Sequence, residues 1–382
     1  MLGWLGLLCC LAYLFGHLWV RLRCLEVRSV DDFEPPACDP AKRLSVVVAA
    51  RNEEDTIVPA LQRLLSHSDP QREIIIVEDR SEDRTRELVA KLCAEHSELR
   101  MVVIEELPEG WLGKVHALHR GAQEAQGEWL LFSDADVHMD GAVVRKCVNL
   151  CEAQKLDHLA VLPKLESRTF LARCTIAAFC GMLLTTTTRK RRQDATDRTH
   201  AIGVGAFNLV RREVLERSEG FDWLRMDVAD DMALALVLKR AGARHDIMFN
   251  RDGLAVEWYP TLPAMVHGLE KNAFGVACHY SVMRSLVTVM VCLNASVGPL
   301  LALGSHPEVV LLTYAVGGFS SYVSARQMGW RGIAPIFVPL GTLFIGWIVA
   351  NSAAKTLWRG GVEWRGTRYS LSELREQQRI RF

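Results

Sequence analysis

The sequence predicts an α/β fold built on a mostly parallel sheet, with membrane segments at both ends of the chain. Three observations lead there. Between residues 42 and 262, short apolar runs rich in β-branched residues alternate with helix-like stretches. Unbroken apolar strands of this kind need cover on both faces, which alternating helices provide. Outside that region lie uncharged runs near 20 residues long, enough to cross a bilayer. Polar residues gather just after the apolar runs, and open α/β sheets bind ligands at the carboxyl ends of their strands.

Composition narrows the class. The 382 residues carry 45 basic and 45 acidic side chains, which argues against a nucleic-acid binder with a broad basic face. Apolar residues make up 49%, too many for a disordered chain. The 11 cysteines form no C-x-x-C pair, so they read as reduced thiols and not as a disulfide framework or a zinc site.

The elements follow in chain order. Residues 1–22 lack charge up to Val20 and are followed by Arg21, Arg23 and Arg28. This reads as an uncleaved transmembrane anchor with basic residues on the cytoplasmic side. Residues 42–262 form the α/β domain. Residues 263–281 read as an interfacial helix, residues 285–354 as two to three further membrane segments, and residues 355–382 as a basic tail. Three crossings would put that tail outside, against the positive-inside rule. Phe170 to Thr188, followed by four basic residues, reads either as an interfacial element on an anionic leaflet or as a helix with a solvated basic end.

Within the α/β domain, Leu44 to Ala50 forms a strand ending at Asn52 and Glu53, and Glu73 to Val77 one ending at Asp79. Ser81 is expected to cap the next helix. Met101 to Ile104 and Trp129 to Phe132 are further strands, the latter ending at Asp134-Ala135-Asp136. Carboxylates at i and i+2 of an extended segment point the same way. The pair suits Mg²⁺ or Mn²⁺, which binds through one or two carboxylates plus substrate phosphates. Lys114 opens a helix and reaches a diphosphate as a point charge. His116 and His119 on that helix read as surface residues. There is neither a P-loop nor a G-x-G-x-x-G after the first strand, which argues against a dinucleotide-binding oxidoreductase. Asp230-Asp231 opens another helix. A carboxylate there is either a helix cap or a general base beside a metal–phosphate site.

Taken together and in order, these motifs resemble the family-2 nucleotide-sugar glycosyltransferases of GT-A fold. The resemblance rests on Val-Val-Val-Ala-Ala-Arg-Asn-Glu-Glu (46–54), Val-Glu-Asp-Arg-Ser-Glu-Asp-Arg-Thr (77–85), Gly113-Lys114, Asp134-Ala135-Asp136, Gly203-Val204-Gly205 and Ala229-Asp230-Asp231. Ala49 and Arg51 replace the usual proline and tyrosine, and Asp230 the usual glutamate. The membrane layout resembles the lipid-acceptor branch, with its ceramide glucosyltransferases and hopanoid- and carotenoid-associated enzymes. Trp364 to Tyr369 resembles a tail of the carotenoid type.

The resemblance implies an inverting transferase that takes sugar from a nucleotide diphosphate, expected to be UDP, to a membrane lipid hydroxyl. It implies donor binding by Ala50, Asn52, Glu53, Asp79, Lys114 and Asp134, and metal binding by Asp136 with Asp134. Asp231, assisted by Asp230, would act as the base. Gly205, Trp258, Gln378 and Arg381 would lie on the acceptor side. The catalytic domain would face the cytoplasm, with a bacterial inner membrane the expected setting. A polyprenyl-phosphate acceptor and a non-catalytic scaffold are the alternatives.

Overall fold

The computed structural model describes residues 2–34, 42–364 and 367–379. Two compact units result, one of residues 28–164 and 189–256, the other of residues 1–27, 165–188 and 257–382.

The first unit is built on an eight-stranded sheet. Its strands, numbered among themselves, are β1 (Arg28–Ser29), β2 (Leu44–Ala50), β3 (Arg72–Asp79), β4 (Leu99–Ile104), β5 (Trp129–Asp134), β6 (His158–Leu162), β7 (Asn208–Arg211) and β8 (His245–Phe249). They lie in the order β1-β8-β6-β7-β5-β2-β3-β4. All pairings are parallel except those of β7, which runs antiparallel to β5 and β6. Ile74, Ile75, Ile76 and Val77 of β3 are all fully buried. Consecutive residues point to opposite faces, so both faces of β3 are covered, as the unbroken apolar run requires. Burying one such side chain contributes about 1.5–3 kcal/mol.

Strand β2 lies between β3 and β5, and the chain builds outward from it in both directions. This is the topological switch point, where loops leaving adjacent strands separate and open a crevice. Asp79 is the last residue of β3, and the loops after β2 and β5 carry Asn52 and Asp136.

Three local expectations need correction. Ser81 does not cap the helix Thr85–Glu95; its Oγ accepts the Asn52 N–H at 3.1 Å, and Asp83 Oδ1 accepts the Thr85 N–H at 3.0 Å. His116 is buried and His119 half-buried, because Trp111 packs on both, with ring centroids 5.6 and 5.1 Å away. The run Arg189 to Arg192 is solvated only in part, with Lys190 and Arg191 exposed. Arg192 is 1% exposed and pairs with Asp246 at 3.3 Å, and Lys239 Nζ donates to the Arg192 carbonyl at 2.6 Å.

The second unit is helical. Leu2–Leu25, Val282–Ala302 and Ala334–Arg359 are long and apolar enough to cross a membrane. Pro307–Gln327 is not among them, so the expected two to three C-terminal segments resolve to two. Phe170–Leu184 is apolar but shorter. Small residues bring the helices close. A Cβ on Gly6 would fall 2.2 Å from the Ala302 nitrogen, and one on Gly341 would fall 2.1 Å from the Cys174 carbonyl. Close packing through small residues, with Trp4, Leu11, Met283, Phe319 and Trp358 left exposed, is what lipid surroundings favour.

The single helix expected over residues 263–281 is instead two, Leu262–Leu269 and Ala273–Cys278. The break falls at Glu270, whose carboxylate pairs with Lys355 at 2.5 Å and Arg359 at 2.6 Å. Its carbonyl accepts the Ser352 hydroxyl at 2.5 Å, and the same hydroxyl oxygen accepts the Phe274 N–H. Every described cysteine is a free thiol.

Candidate active site

The site lies within the first unit and starts at the Asp230–Arg240 helix. Asp231 is held at both oxygens: Oδ2 accepts the Gly205 N–H at 2.9 Å, and Oδ1 accepts the Met232 N–H at 2.8 Å. Neighbouring Asp230 is drawn away from a capping role, since its carboxylate lies 3.0 Å from Lys114 Nζ. Lys114 in turn lies 2.7 Å from Asp134 Oδ1. One ammonium thus bridges carboxylates from the end of β5 and from a helix start nearly 100 residues later. Asp134 is fastened a second time, because its N–H donates to the Gly205 carbonyl at 3.2 Å.

Gly203 and Gly205 are required by closeness. A Cβ on Gly203 would sit 1.8 Å from the Asp231 carbonyl oxygen, and one on Gly205 would sit 2.8 Å from Asp134 Oδ2. Replacing Gly203 with alanine must therefore push the loop and Asp231 apart. Turnover should fall by about 10²-fold, the usual effect of a ~1 Å misplacement, while circular dichroism keeps its α/β signature. Steady-state kinetics on the purified variant checks this, and unchanged turnover would mean that the contact has no bearing on the chemistry.

The electrostatics fit this geometry. Burial opposes the charge on Lys114, but Asp134, Asp230 and Asp231 outweigh it and raise the ammonium's pKa, so it stays protonated. Burial, and then the neighbouring Asp230 carboxylate, push Asp231 above the usual carboxylate range, with Lys114 pulling the other way. Burial first, then Asp134 and Glu53, push Asp136 up to about 7. Four aspartates, Asp134, Asp136, Asp230 and Asp231, gather around the single ammonium of Lys114, and this excess of negative charge favours a further cation.

Among the described residues no group of three or more His, Cys, Asp or Glu is arranged to hold a metal by itself. The donor set present suits a divalent cation shared with a substrate. Asp134 and Asp136 supply hard oxygens of the kind such an ion takes.

The remaining sequence candidates take varied places. Asn52 sits at φ 55° and its Oδ1 accepts the Glu82 N–H at 2.8 Å, so its side chain fastens the β2 loop to the β3 loop. Glu53 joins the same lacing: its N–H donates to Thr85 Oγ1 at 2.7 Å and its Oε2 accepts the Thr56 hydroxyl at 2.8 Å. Ala50 is buried at the last residue of β2, paired in register with Glu78. Asp79 is not open-handed, because Arg80 grips both its oxygens at 2.7 and 3.1 Å. Sequence reasoning missed Arg80; its signal was a long cation beside a strand-end carboxylate. Trp258 belongs to the second unit, where its ring meets Phe179 and Tyr259. Gln378 Nε2 there donates to the Gly275 carbonyl at 2.8 Å. Arg381, and part of the tail motif at Arg365 and Gly366, lie outside the described residues.

The site thus joins an acidic strand end at the switch point, a lysine and a backbone-held aspartate. Comparison with known proteins makes this specific. Residues 45–218 match Glycosyl transferase family 2. It is 34% identical to a 4,4'-diaponeurosporenoate glycosyltransferase of Staphylococcus haemolyticus over 97 residues, 25% of each chain. Against the protein of that name from Staphylococcus aureus strain USA300 it is 23% identical over 87% of this chain and 89% of the relative. A beta-monoglucosyldiacylglycerol synthase of Trichormus variabilis is 27% identical over 51% of this chain and 41% of the relative. The chain spans between a quarter and about half the length of the first curated relatives it matches.

Among solved structures, a mannosyltransferase from Pyrobaculum calidifontis in complex with GDP-Man and Mn²⁺ superposes with a TM-score of 0.57 at 18% identity. That match covers 94% of this chain and 99% of the other. The expected GT-A fold is borne out.

Proposed function

We propose that the chain is an inverting, metal-assisted glycosyltransferase that moves a sugar from a nucleotide diphosphate to a membrane lipid hydroxyl. The observation that carries this reading is the Lys114 bridge between Asp134 and Asp230, with Asp231 held alongside by the Gly205 and Met232 amides. A lipid acceptor is favoured by the helices apolar enough to cross a membrane and by the names of the lipid-modifying relatives.

Asp231 takes the proton from the acceptor hydroxyl. Its raised pKa brings it nearer to physiological pH, where a general base works best. The acceptor oxygen then attacks the anomeric carbon while the bond to the diphosphate oxygen breaks, with inversion at that carbon. The diphosphate leaves with the electron pair, and the Lys114 ammonium lies where it can meet that charge. Asp136 and Asp134 would hold a Mg²⁺ or Mn²⁺ ion, which when bound neutralises the diphosphate. Asn52 and Glu53 shape the donor side by lacing its loops. Asp79 meets the base only after sharing or releasing Arg80.

The membrane layout is consistent with a cytoplasmic catalytic domain. With one N-terminal crossing and two C-terminal ones, the basic tail returns to the side of the catalytic domain, which removes the conflict raised by three C-terminal crossings. A bacterial inner membrane suits that arrangement. Cysteine labelling of intact vesicles from either side tests it: residues of the catalytic domain and the tail should react together, and opposite labelling would contradict the layout.

Proton competition gives a pH test. A carboxyl whose folded pKa lies above its unfolded value weakens the fold as pH rises from the unfolded pKa through the folded one. Asp136, raised to about 7, therefore makes the metal-free protein less stable at pH 8 than at pH 6 by its own contribution. Added Mn²⁺ should raise the melting temperature more at pH 8 than at pH 6. An equal rise at both would remove Asp136 from the metal site.

A further inference from the structure

Two buried histidines beneath the loop of residues 202–205 are unused by the chemistry above. His158 in β6 and His245 in β8 are register partners on adjacent parallel strands. Both are fully buried, with rings stacked at 4.6 Å between centroids. Burial keeps both neutral: it takes His158 down to about 4, and with the nearby His158, Arg192 and Lys239 it takes His245 well below the ordinary histidine range. A neutral imidazole keeps one nitrogen as an acceptor. His245 uses Nε2 to accept the Ile202 N–H at 3.1 Å. His158 Nε2 meets Asn208 Oδ1 at 3.1 Å, and the same oxygen accepts the Val204 N–H at 3.3 Å.

The loop so fastened is the one that holds the base. Ile202 and Val204 are tied down from the sheet, and the next amide, Gly205, donates to Asp231 Oδ2 at 2.9 Å. With glycine at 203 and 205 the segment has little conformational preference of its own, so its shape must come from its anchors. We infer that His245, with His158 and Asn208, is a set of positioning residues that fixes the 202–205 loop and, through Gly205, aims Asp231. This rests on the reading of Asp231 as the base. The set touches neither substrate nor metal; His245 Nε2 and Asn208 Oδ1 supply the acceptors for the loop amides, and His158 Nε2 donates to that Asn208 oxygen and holds it in place.

The test uses the full chain in detergent, comparing His245→Phe, which keeps the ring volume but removes the acceptor, with His245→Gln, which keeps an acceptor. Hydrogen exchange of the peptide containing residues 201–206 should speed up by at least about 10-fold in His245→Phe and stay near wild type in His245→Gln. With the donor sugar that the wild type turns over, kcat should fall by about 10²-fold in His245→Phe while the donor KM stays within about twofold, and His245→Gln should recover most of it. Should His245→Phe not fold, Asn208→Ala removes the Val204 acceptor and should give the same pair of changes. Unchanged exchange in the 201–206 peptide overturns the inference, as does a rise in KM without a fall in kcat. A wild-type protein that transfers no sugar sinks the functional proposal instead, and the exchange comparison still decides whether the histidines fasten the loop.

Discussion

Asp231→Asn should cut turnover by about 10²–10⁴-fold while leaving donor binding nearly intact. Asparagine keeps one of the two oxygens that accept the Gly205 and Met232 amides, so one of the two anchors between loop and helix is retained. What asparagine lacks is the ability to take a proton. The loss should therefore appear in kcat, with the donor KM moving little, because the acceptor hydroxyl is deprotonated only on the way to the transition state. A helix cap would behave differently: its replacement would lower stability by about 0.5–2 kcal/mol and spare turnover. Thermal melting beside steady-state kinetics separates the two roles. Full turnover in Asp231→Asn would reduce the residue to a cap.

Asp136→Ala should abolish the metal-dependent part of donor binding. Calorimetric titration of UDP in the presence of Mn²⁺ should show binding weakened by more than about 10²-fold, beyond the 10–100-fold typical of residues that merely support a ligand. Asp134 cannot substitute, because its carboxylate also pairs with Lys114. Lys114→Met should lower stability at neutral pH, since it leaves Asp134, Asp230 and Asp231 without their common counter-charge. Its melting temperature should fall as pH rises from 6 to 8. Wild-type UDP and Mn²⁺ affinity in Asp136→Ala would refute the metal assignment.

What the sequence made legible follows from the range of each interaction. The β3 run was readable because four consecutive apolar, β-branched residues bounded by charged ones fit a short strand covered on both faces, and the carboxylates after β2, β3 and β5 follow from where those strands stop. The D-x-D pair and the Asp230-Asp231 helix start are likewise local. The long-range contacts were not legible. Nothing in Gly113-Lys114 states that its ammonium will join residues 134 and 230, and nothing in Gly203-Val204-Gly205 states that Asp231 will press against it. The same limit explains the misreadings. Ser81 looked like a cap because capping is local, yet its hydroxyl serves Asn52 from another loop. Arg189 to Arg192 looked solvated because a run of cations normally is, yet Asp246 on β8 gives Arg192 a buried partner.

The central claim is that these acidic side chains work together in sugar transfer to a lipid. Membranes holding the wild-type or the Asp231→Asn chain, incubated with a panel of nucleotide sugars and Mn²⁺, test it by mass spectrometry of the lipid extract. The account predicts a lipid heavier by one sugar residue with one donor in the wild type, and almost none of it in the variant. Equal product from both chains, or no glycosylated lipid with any donor, would contradict it.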